Sequence, residues 1–361
     1  MDNRRVMLGA ESLLPGNGGI CRVARLVGKV LAEEEGAGLL GADAIALNDD
    51  VVPGGEFRLP AVRAMGGSRA RFVVGMAVGA VGHTHFIYDF AGMARAHCRV
   101  PFLRRPMMVY LHGIEVWGEE SARRIAVARR AQALVVNSAY TLGRAERDHG
   151  RFEVRPRVCW LATESDEASS VVADGGGPPT VMILARMDAD GGYKGHRELI
   201  AAWPAVVGAV GDARLVIVGR GPGMEVIAKL VGESPVAGNI EMKGFVPDGE
   251  LDRLWGRTAV FAMPSRGEGF GLVYIEAMRH GIPVIASVHD AAPEVNVDGE
   301  TGYNVDLDRD GGGLAERVIY LLRNREVAAE MGRNGQRRWQ EHFRYSAFRG
   351  RFRELLGDFL R

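Results

Sequence analysis

Glu268 lies inside the run Gly267-Glu268-Gly269-Phe270-Gly271, and Glu276 follows eight residues after it in "RGEGFGLVYIEAMRHG". The strand-like "AVFAMPS" comes before this run. The helical "LVYIEAMRHG" comes after it and stops at Gly281, just before Ile282-Pro283. The glycines therefore fall at a helix N-terminus, where backbone N–H groups have no partner inside the helix and the positive end of the dipole points outward. Glycine also lets anionic oxygens come close to those N–H groups. A carboxylate such as Glu268 is a poor partner for phosphate and a good one for hydroxyl donors, such as those of a sugar. Glu276, about a turn and a half into the helix at roughly 3.6 residues per turn, is within reach of ribose hydroxyls on the same face. The pair reads as a clamp on a nucleotide sugar, with backbone amides at the diphosphate between. The same spacing equally fits a glycine-capped surface helix with two solvated glutamates.

A second stretch adds cations. In "TVMILARMDADGGYKGHRELIAAW" a strand ends at Ala185-Arg186, and Lys194 opens the next helix after a loop. Two cations across a strand-to-helix turn suit a diphosphate leaving group, because Arg offers a planar fork and Lys a mobile point charge. Alone, such residues are more often solvated. Together with Glu268 and Glu276 they favour the ligand-binding alternative.

These residues need strands and helices to hold them. Apolar runs alternate with amphipathic stretches along the chain: "RRVMLGA" then "ICRVARLVGKVLAEEE", followed by "HTHFIYD", "PMMVYLHG" and "ALVVNSA". The pattern lapses at "SDEASSVVADGGGPP", which has the composition of a linker. It then restarts with "TVMILARMD", "ARLVIVGRG", "NIEMKGFV", "AVFAMPS" and "IPVIAS". Continuous apolar strands suit parallel sheets covered on both faces. The expectation is an α/β protein of two doubly wound domains facing a central cleft, with residues 1–166 and 180–342 as domains and 167–179 as linker. Ligands of such sheets bind beyond the carboxyl ends of the strands. Residues 343–361 extend an aromatic-rich helical stretch that either closes the second domain or braces the first.

Bulk properties narrow the function classes. The 361 residues exceed one ordinary core. Lys plus Arg and Asp plus Glu are 45 each, so no general affinity for nucleic acid is implied. Between Ala61 and Arg105, however, seven arginines face one acid, Asp89, around the apolar "FVVGMAVGAV". That stretch reads as a solvated basic face, or as a surface for an anionic acceptor or a membrane. Cys21, Cys98 and Cys159 have neither disulfide-framework nor metal-ligand spacing and fit a reducing compartment. No signal-peptide pattern opens the chain, and the run Phe72–Gly82 is too short to span a bilayer. A cytoplasmic protein, touching the inner face of the cell membrane at most, is the expectation.

Taken together, the sequence resembles the retaining nucleotide-sugar glycosyltransferases of glycosyltransferase family 4, which have the GT-B fold. The likeness is specific in the second half. There "RGEGFGLVYIEAMRHGIPVIAS" carries the E-x7-E pattern at Glu268 and Glu276, alongside "LARMDADGGYKGHRELIAA", "LVIVGRGP", "KGFVPDGEL" and "DGETGYNVDL". It is looser in the first half, at "GGICRVARLV", "VYLHGIEVW" and "LVVNSAYT". The resemblance implies a Rossmann-like acceptor-binding first domain and a Rossmann-like donor-binding second domain. Arg186 and Lys194 would stabilise the departing diphosphate. Glu268, with the amides of Gly269, Phe270 and Gly271 and the neighbouring Leu272, would hold donor sugar and phosphates, and Glu276 the ribose. Val246 would meet the base through its backbone. Gly18 and Gly19 would let the first-domain loop approach phosphate or acceptor, and His112 would contact the transferred sugar. His112 also reads as a structural histidine at a strand end.

The resemblance implies transfer of a hexose from a carrier such as UDP or GDP to a saccharide or lipid-linked saccharide, as in cell-surface polysaccharide or glycolipid assembly. Asp188-Ala-Asp190 has the look of a metal-binding DxD, but cations and helix ends meet the diphosphate in this group, so no cofactor or essential metal is expected. Two features depart from the family: "VCWLATESDEASS" lacks the asparagine-glycine turn before the linker, and "MDADGGYKGH" has extra residues between arginine and lysine. Two other readings compete. Gly219, Gly221 and Gly223 outline a dinucleotide fingerprint of an NAD-type oxidoreductase, yet Met224 stands where the last glycine belongs. A non-catalytic glycosyltransferase-like binding protein would not need all four of Arg186, Lys194, Glu268 and Glu276.

Overall fold

Most apolar runs of the sequence become strands buried on both faces; every residue of "MMVYL" at Met107–Leu111 is buried. The computed structural model describes residues 4–16, 18–54, 58–169, 177–189, 192–309 and 313–361. The chain divides into two units, Met1–Ser165 with Arg344–Arg361 and Asp166–Phe343. Residues 170–176 of the expected linker lie outside the described residues.

The first unit is built on β1 (Arg5–Ala10), β2 (Gly41–Ala46), β3 (Ala61–Ala64), β4 (His85–Tyr88), β5 (Met107–Leu111), β6 (Ala133–Val136) and β7 (Arg157–Val158). They form one sheet in the order β3-β2-β1-β4-β5-β6-β7, with parallel pairing throughout. The crossovers include α1 (Gly19–Gly36), α2 (Arg69–Gly82), α3 (Ala122–Ala128) and α4 (Ala139–His149). Strand order reverses between β1 and β4, which makes the carboxyl ends of those two strands the switch point where ligands of open parallel sheets bind.

The second unit repeats the plan with β8 (Thr180–Leu184), β9 (Arg214–Val218), β10 (Ile240–Gly244), β11 (Val260–Ala262), β12 (Val284–Ser287) and β13 (Gly302–Val305). Their order is β10-β9-β8-β11-β12-β13, again all parallel, so the switch point falls between β8 and β11. Its helices are α5 (His196–Ala209), α6 (Met224–Glu233), α7 (Asp248–Arg257), α8 (Leu272–Arg279), the short α9 (Ala292–Val295), α10 (Leu314–Arg323) and α11 (Arg325–His342).

The aromatic tail of the sequence is two helices. The first, α11, is capped by Phe343, whose ring meets Phe270 edge-on at 5.9 Å within the second unit. Arg344 then begins α12 (Tyr345–Phe359), which packs on α1 in the first unit. Phe348 and Phe352 are fully buried there. Arg349 and Arg353 pair with Glu33 and Glu34 of α1 at 2.8 and 2.7 Å. Apolar anchoring supplies most of the energy of such a contact, since half-exposed ion pairs contribute little.

Candidate functional site

The two second-unit stretches that carry cations and carboxylates leave the sheet at β8 and β11, the strands that flank the switch point. After β8, Ala185 N–H donates to Val218 and Met187 N–H to Arg220, which holds the backbone on either side of Arg186. The Arg186 side chain is exposed, and its guanidinium has no ion-pair or hydrogen-bond partner among the described residues. Lys194 comes two residues before α5, in a turn rather than in the helix itself. The Arg266 N–H donates to the Tyr193 carbonyl at 2.7 Å, tying this turn to the loop after β11. That tie brings Lys194 to Glu268.

Lys194 Nζ donates to Glu268 Oε1, with the two side chains only 13% and 17% exposed. Burial opposes the charge on Lys194, but the Glu268 carboxylate, with Tyr193 and Asp290, more than offsets it and holds the amine above its ordinary pKa. The lysine also lies 4.6 Å above the Tyr193 ring. A cation is thereby kept charged and nearly dry at the carboxyl edge of the sheet.

The Glu268 turn rests on a residue that sequence reasoning missed. Asp290, 2% exposed, accepts the Glu268 N–H at 2.8 Å and the Ala292 N–H at 2.9 Å. The Ala291 N–H returns a bond to the Glu268 carbonyl at 3.1 Å. Burial pushes the Asp290 carboxyl up to about 7 against the two N–H donors that favour its ionised form. The available signal was an acid just beyond a buried strand end, in "VIASVHD". Its partner, the N–H of Glu268, is 22 residues away and could not be read from spacing.

The rest of the glycine run divides its duties. The Phe270 side chain is buried, so only its backbone can serve a ligand. Gly271 caps α8 at φ +93°, and a β-carbon there would stand 2.2 Å from the Tyr274 ring, so glycine is required on both counts. Gly269, Leu272 and Glu276 are half-buried along the turn and α8. Val246 follows β10 with its side chain buried, next to Phe245, which is 61% exposed under the Arg220 guanidinium at 4.8 Å.

In the first unit, Gly18 (φ +91°) and Gly19 begin α1 at the switch point, and both are exposed. His112 follows β5 and is 8% exposed, stacked on Tyr110. Its Nε2 is hydrogen-bonded to the Asp89 carbonyl. A carbonyl only accepts, so Nε2 carries the proton and Nδ1 of the neutral ring is left as an acceptor. The His112 backbone is held too, its N–H by Glu115 at 2.6 Å and its carbonyl by Asn137 at 2.5 Å. These bonds fix the ring at the strand end and leave Nδ1 without a hydrogen-bond partner among the described residues, which fits either reading of His112. Where the asparagine-glycine turn is missing, Glu164 instead accepts from Arg25 of α1 at 2.6 Å.

The dinucleotide alternative loses ground. A β-carbon on Gly219 or Gly221 would stand 2.0 or 2.1 Å from the Ala185 or Met187 carbonyl oxygen, so these glycines let one loop lie on the Arg186 segment. Packing explains them without a dinucleotide. In Asp188-Ala-Asp190, Asp190 lies outside the described residues. Elsewhere His289, Asp306 and Asp308 could offer metal ligands within 4.8 Å of one another. Arg309 and Arg266 already pair with those carboxylates, and His289 Nε2 accepts the Leu307 N–H at 2.9 Å.

The sequence profile of the family "Glycosyl transferases group 1" matches residues 166–338. That span is similar to the group 1 glycosyl transferases. The GDP-mannose-dependent alpha-(1-6)-phosphatidylinositol monomannoside mannosyltransferase of Mycobacterium tuberculosis is 36% identical over 193 residues, 51% of this chain and 47% of that protein. The chain thus spans about half the length of the curated relatives it matches. Among solved structures, Anabaena Alr3699/HepE in complex with UDP and glucose superposes with TM-score 0.78 at 18% identity, over 98% of this chain and 99% of that one. A sucrose-phosphate synthase from Thermosynechococcus elongatus does so with TM-score 0.78 at 21% identity, over 98% of each chain. At such identities the likeness is one of fold: α/β, of the GT-B type.

Proposed function

We propose that this protein is a group 1 glycosyl transferase that moves a hexose from a nucleotide-diphosphate sugar to an acceptor hydroxyl with retention of anomeric configuration. The observation that carries the reading is the buried Lys194–Glu268 pair at the switch point between β8 and β11, with unpartnered Arg186 after the same strand. Arg186 and Lys194 face charge that develops on the leaving diphosphate, where one well-placed donor is worth roughly 3–4 kcal/mol. Glu268, the amides of Gly269–Gly271 and Leu272 hold sugar and phosphates. Glu276 takes the ribose and the Val246 backbone the base. Gly18 and Gly19 give the first-unit loop its close approach, and His112 Nδ1 accepts a sugar hydroxyl.

The acceptor oxygen attacks the anomeric carbon on the face the diphosphate leaves. As that carbon–oxygen bond breaks, the acceptor proton passes to the departing phosphate oxygen. The scheme needs neither metal nor cofactor. A UDP- or GDP-hexose donor is in keeping with the GDP-mannose dependence of the Mycobacterium tuberculosis enzyme and with the UDP and glucose bound in the Anabaena structure, and a lipid-linked or saccharide acceptor with the phosphatidylinositol monomannoside in the former's name. Three free, buried cysteines agree with a cytoplasmic setting, with peripheral contact at the inner face of the membrane. Among the described residues no helix is long and apolar enough to cross a bilayer.

The test is a thermal-shift panel of UDP- and GDP-sugars on the parent chain, Glu268→Ala and Arg186→Ala. A donor should stabilise the parent as RT ln(1 + [L]/Kd) and the variants far less. Equal shifts in all three would refute the site. A glycosyl adduct trapped on any first-unit side chain would refute the mechanism.

A further inference from the structure

The second unit carries a cavity at the edge of its sheet opposite Arg186 and Glu268. It has a volume of about 400 Å³ and lies among the starts of three strands. Thr180 opens β8, Ala259 precedes β11 and Pro283 precedes β12. Arg186 and Glu268 instead follow the carboxyl ends of β8 and β11. At about 3.3 Å per residue, the five residues of β8 put roughly 17 Å between the two edges. The cavity is therefore no part of the proposed donor site, yet its size is that of a small-molecule pocket.

Its lining combines apolar walls with cations of one sign. Ile282, Leu321 and Leu322 are buried there. Arg257 comes from the end of α7, Arg325 from the start of α11, and Arg333 from two turns further along α11. Ala328 and Ala329 lie between these two on the same helical face, where small side chains leave room. A β-carbon on Gly332 would stand 1.9 Å from the Gly281 carbonyl oxygen, so glycine there seats α11 against the turn after α8. All three arginines are exposed, and none has an ion-pair or hydrogen-bond partner among the described residues. Neither Asp nor Glu is among the described lining residues. His280, stacked on Trp255, also lines the cavity, and burial with the Arg279 charge pushes its pKa down to about 4. It is neutral near pH 7, so the guanidiniums supply the positive charge. Surface arginines are ordinarily solvated one at a time. Three converging on one concavity without a carboxylate focus a field that gathers anions.

We infer that this cavity binds a small phosphorylated molecule, held by its phosphate on Arg257, Arg325 and Arg333 and by its uncharged body against Ile282, Leu321 and Leu322. Guanidinium forks match phosphate oxygens in pairs, which favours phosphate over a diffuse anion. An organic phosphate is favoured over the bare ion because the buried aliphatic walls would otherwise face water. It is favoured over an acidic protein because the charges border a concave hollow rather than a flat face. The ligand is a second one, distinct from the sugar donor, so the inference goes beyond the proposed function and does not depend on it.

The experiment is isothermal titration calorimetry of the full chain with glucose 6-phosphate, adenosine monophosphate and inorganic phosphate. The first two distinguish a sugar body from a nucleoside body. Three variants are compared with the parent: Arg257→Ala with Arg325→Ala and Arg333→Ala; Ala329→Trp, which fills the cavity from an exposed helix position; and Arg186→Ala, which weakens the proposed donor site. Far-ultraviolet circular dichroism shows that each variant folds. At least one organic phosphate should bind the parent more tightly than inorganic phosphate does. Its Kd should rise at least about tenfold in the triple-arginine variant and in Ala329→Trp, and stay unchanged in Arg186→Ala. The thermal shift with sugar donors should be the same in the first two variants as in the parent. Three outcomes overturn the inference: neither organic phosphate binds the parent; binding is lost in Arg186→Ala and kept in the triple variant, which places the ligand at the donor site; or Ala329→Trp binds as the parent does, which places it outside the cavity. An oligoglutamate peptide that binds more tightly than either phosphate, and is lost in the triple variant, would assign the arginines to a protein partner and equally overturn it.

Discussion

The Lys194–Glu268 pair makes a prediction that separates an electrostatic site from a loop that merely looks like one. Each partner is less than one-fifth exposed, so removing one leaves the other charged and nearly buried. Breaking a buried pair in this way costs about 3–5 kcal/mol, whereas replacing both partners with apolar groups is often neutral. Residual exposure favours the low end, so Glu268→Ala should destabilise the second unit by about 3 kcal/mol. For a unit of this size that is a fall in Tm of about 6–12 °C. Adding Lys194→Met to Glu268→Ala should restore most of it.

The pH dependence has a definite sign. In the parent, Glu268 raises the Lys194 pKa, so the stability from its charge is complete below the ordinary lysine value and is lost as pH climbs through the raised one. In Glu268→Ala the largest contribution left is burial, which lowers the lysine pKa. The deficit of that variant should therefore be full at neutral pH and shrink as alkali deprotonates the lysine. The assay is thermal unfolding of the parent, both single variants and the double variant between neutral and alkaline pH, analysed as a double-mutant cycle. If Glu268→Ala alone matches the parent, or the double variant is as unstable as the single, the pair is not a buried ion pair and the donor-site argument loses its main support.

Arg186→Ala should leave Tm almost unchanged, as expected for an exposed side chain without partners, while turnover with the preferred donor falls by about 10²–10³. The Asp290 carboxyl, raised to about 7, binds its proton in the native state where the unfolded chain has released it. Its contribution should be greatest below about pH 4 and decline as pH rises through about 7, and Asp290→Asn should flatten that slope in a pH series of Tm values. Gly271→Ala should cost about 1–3 kcal/mol in strain at positive φ, and more from the Tyr274 clash, with weaker nucleoside diphosphate binding by calorimetry. Activity should survive prolonged treatment with EDTA, measured as sugar transfer before and after.

Much of this was legible in the chain itself, for a local reason. The strand-glycine-helix grammar of "AVFAMPSRGEGFGLVYIEAMRHG" needs only neighbours to be read, because period, capping and glycine placement act within a few residues. Arg186 at a strand end and Glu268 in a helix-opening turn follow from that grammar, as do two parallel sheets from uninterrupted apolar runs. Contacts between distant segments were not legible. That Lys194 meets Glu268 across 74 residues depends on β8 and β11 being neighbours, which strand order decides. The support from Asp290, the proton on His112 Nε2, and the return of α12 to α1 likewise come from partners that sequence spacing does not encode. Composition flagged the valines of α2 and the arginines after it as basic and apolar. Only packing decided which face of that helix the sheet took and which it left to solvent. Residue types set what chemistry was available, and burial by distant segments set which groups stay charged, paired or exposed.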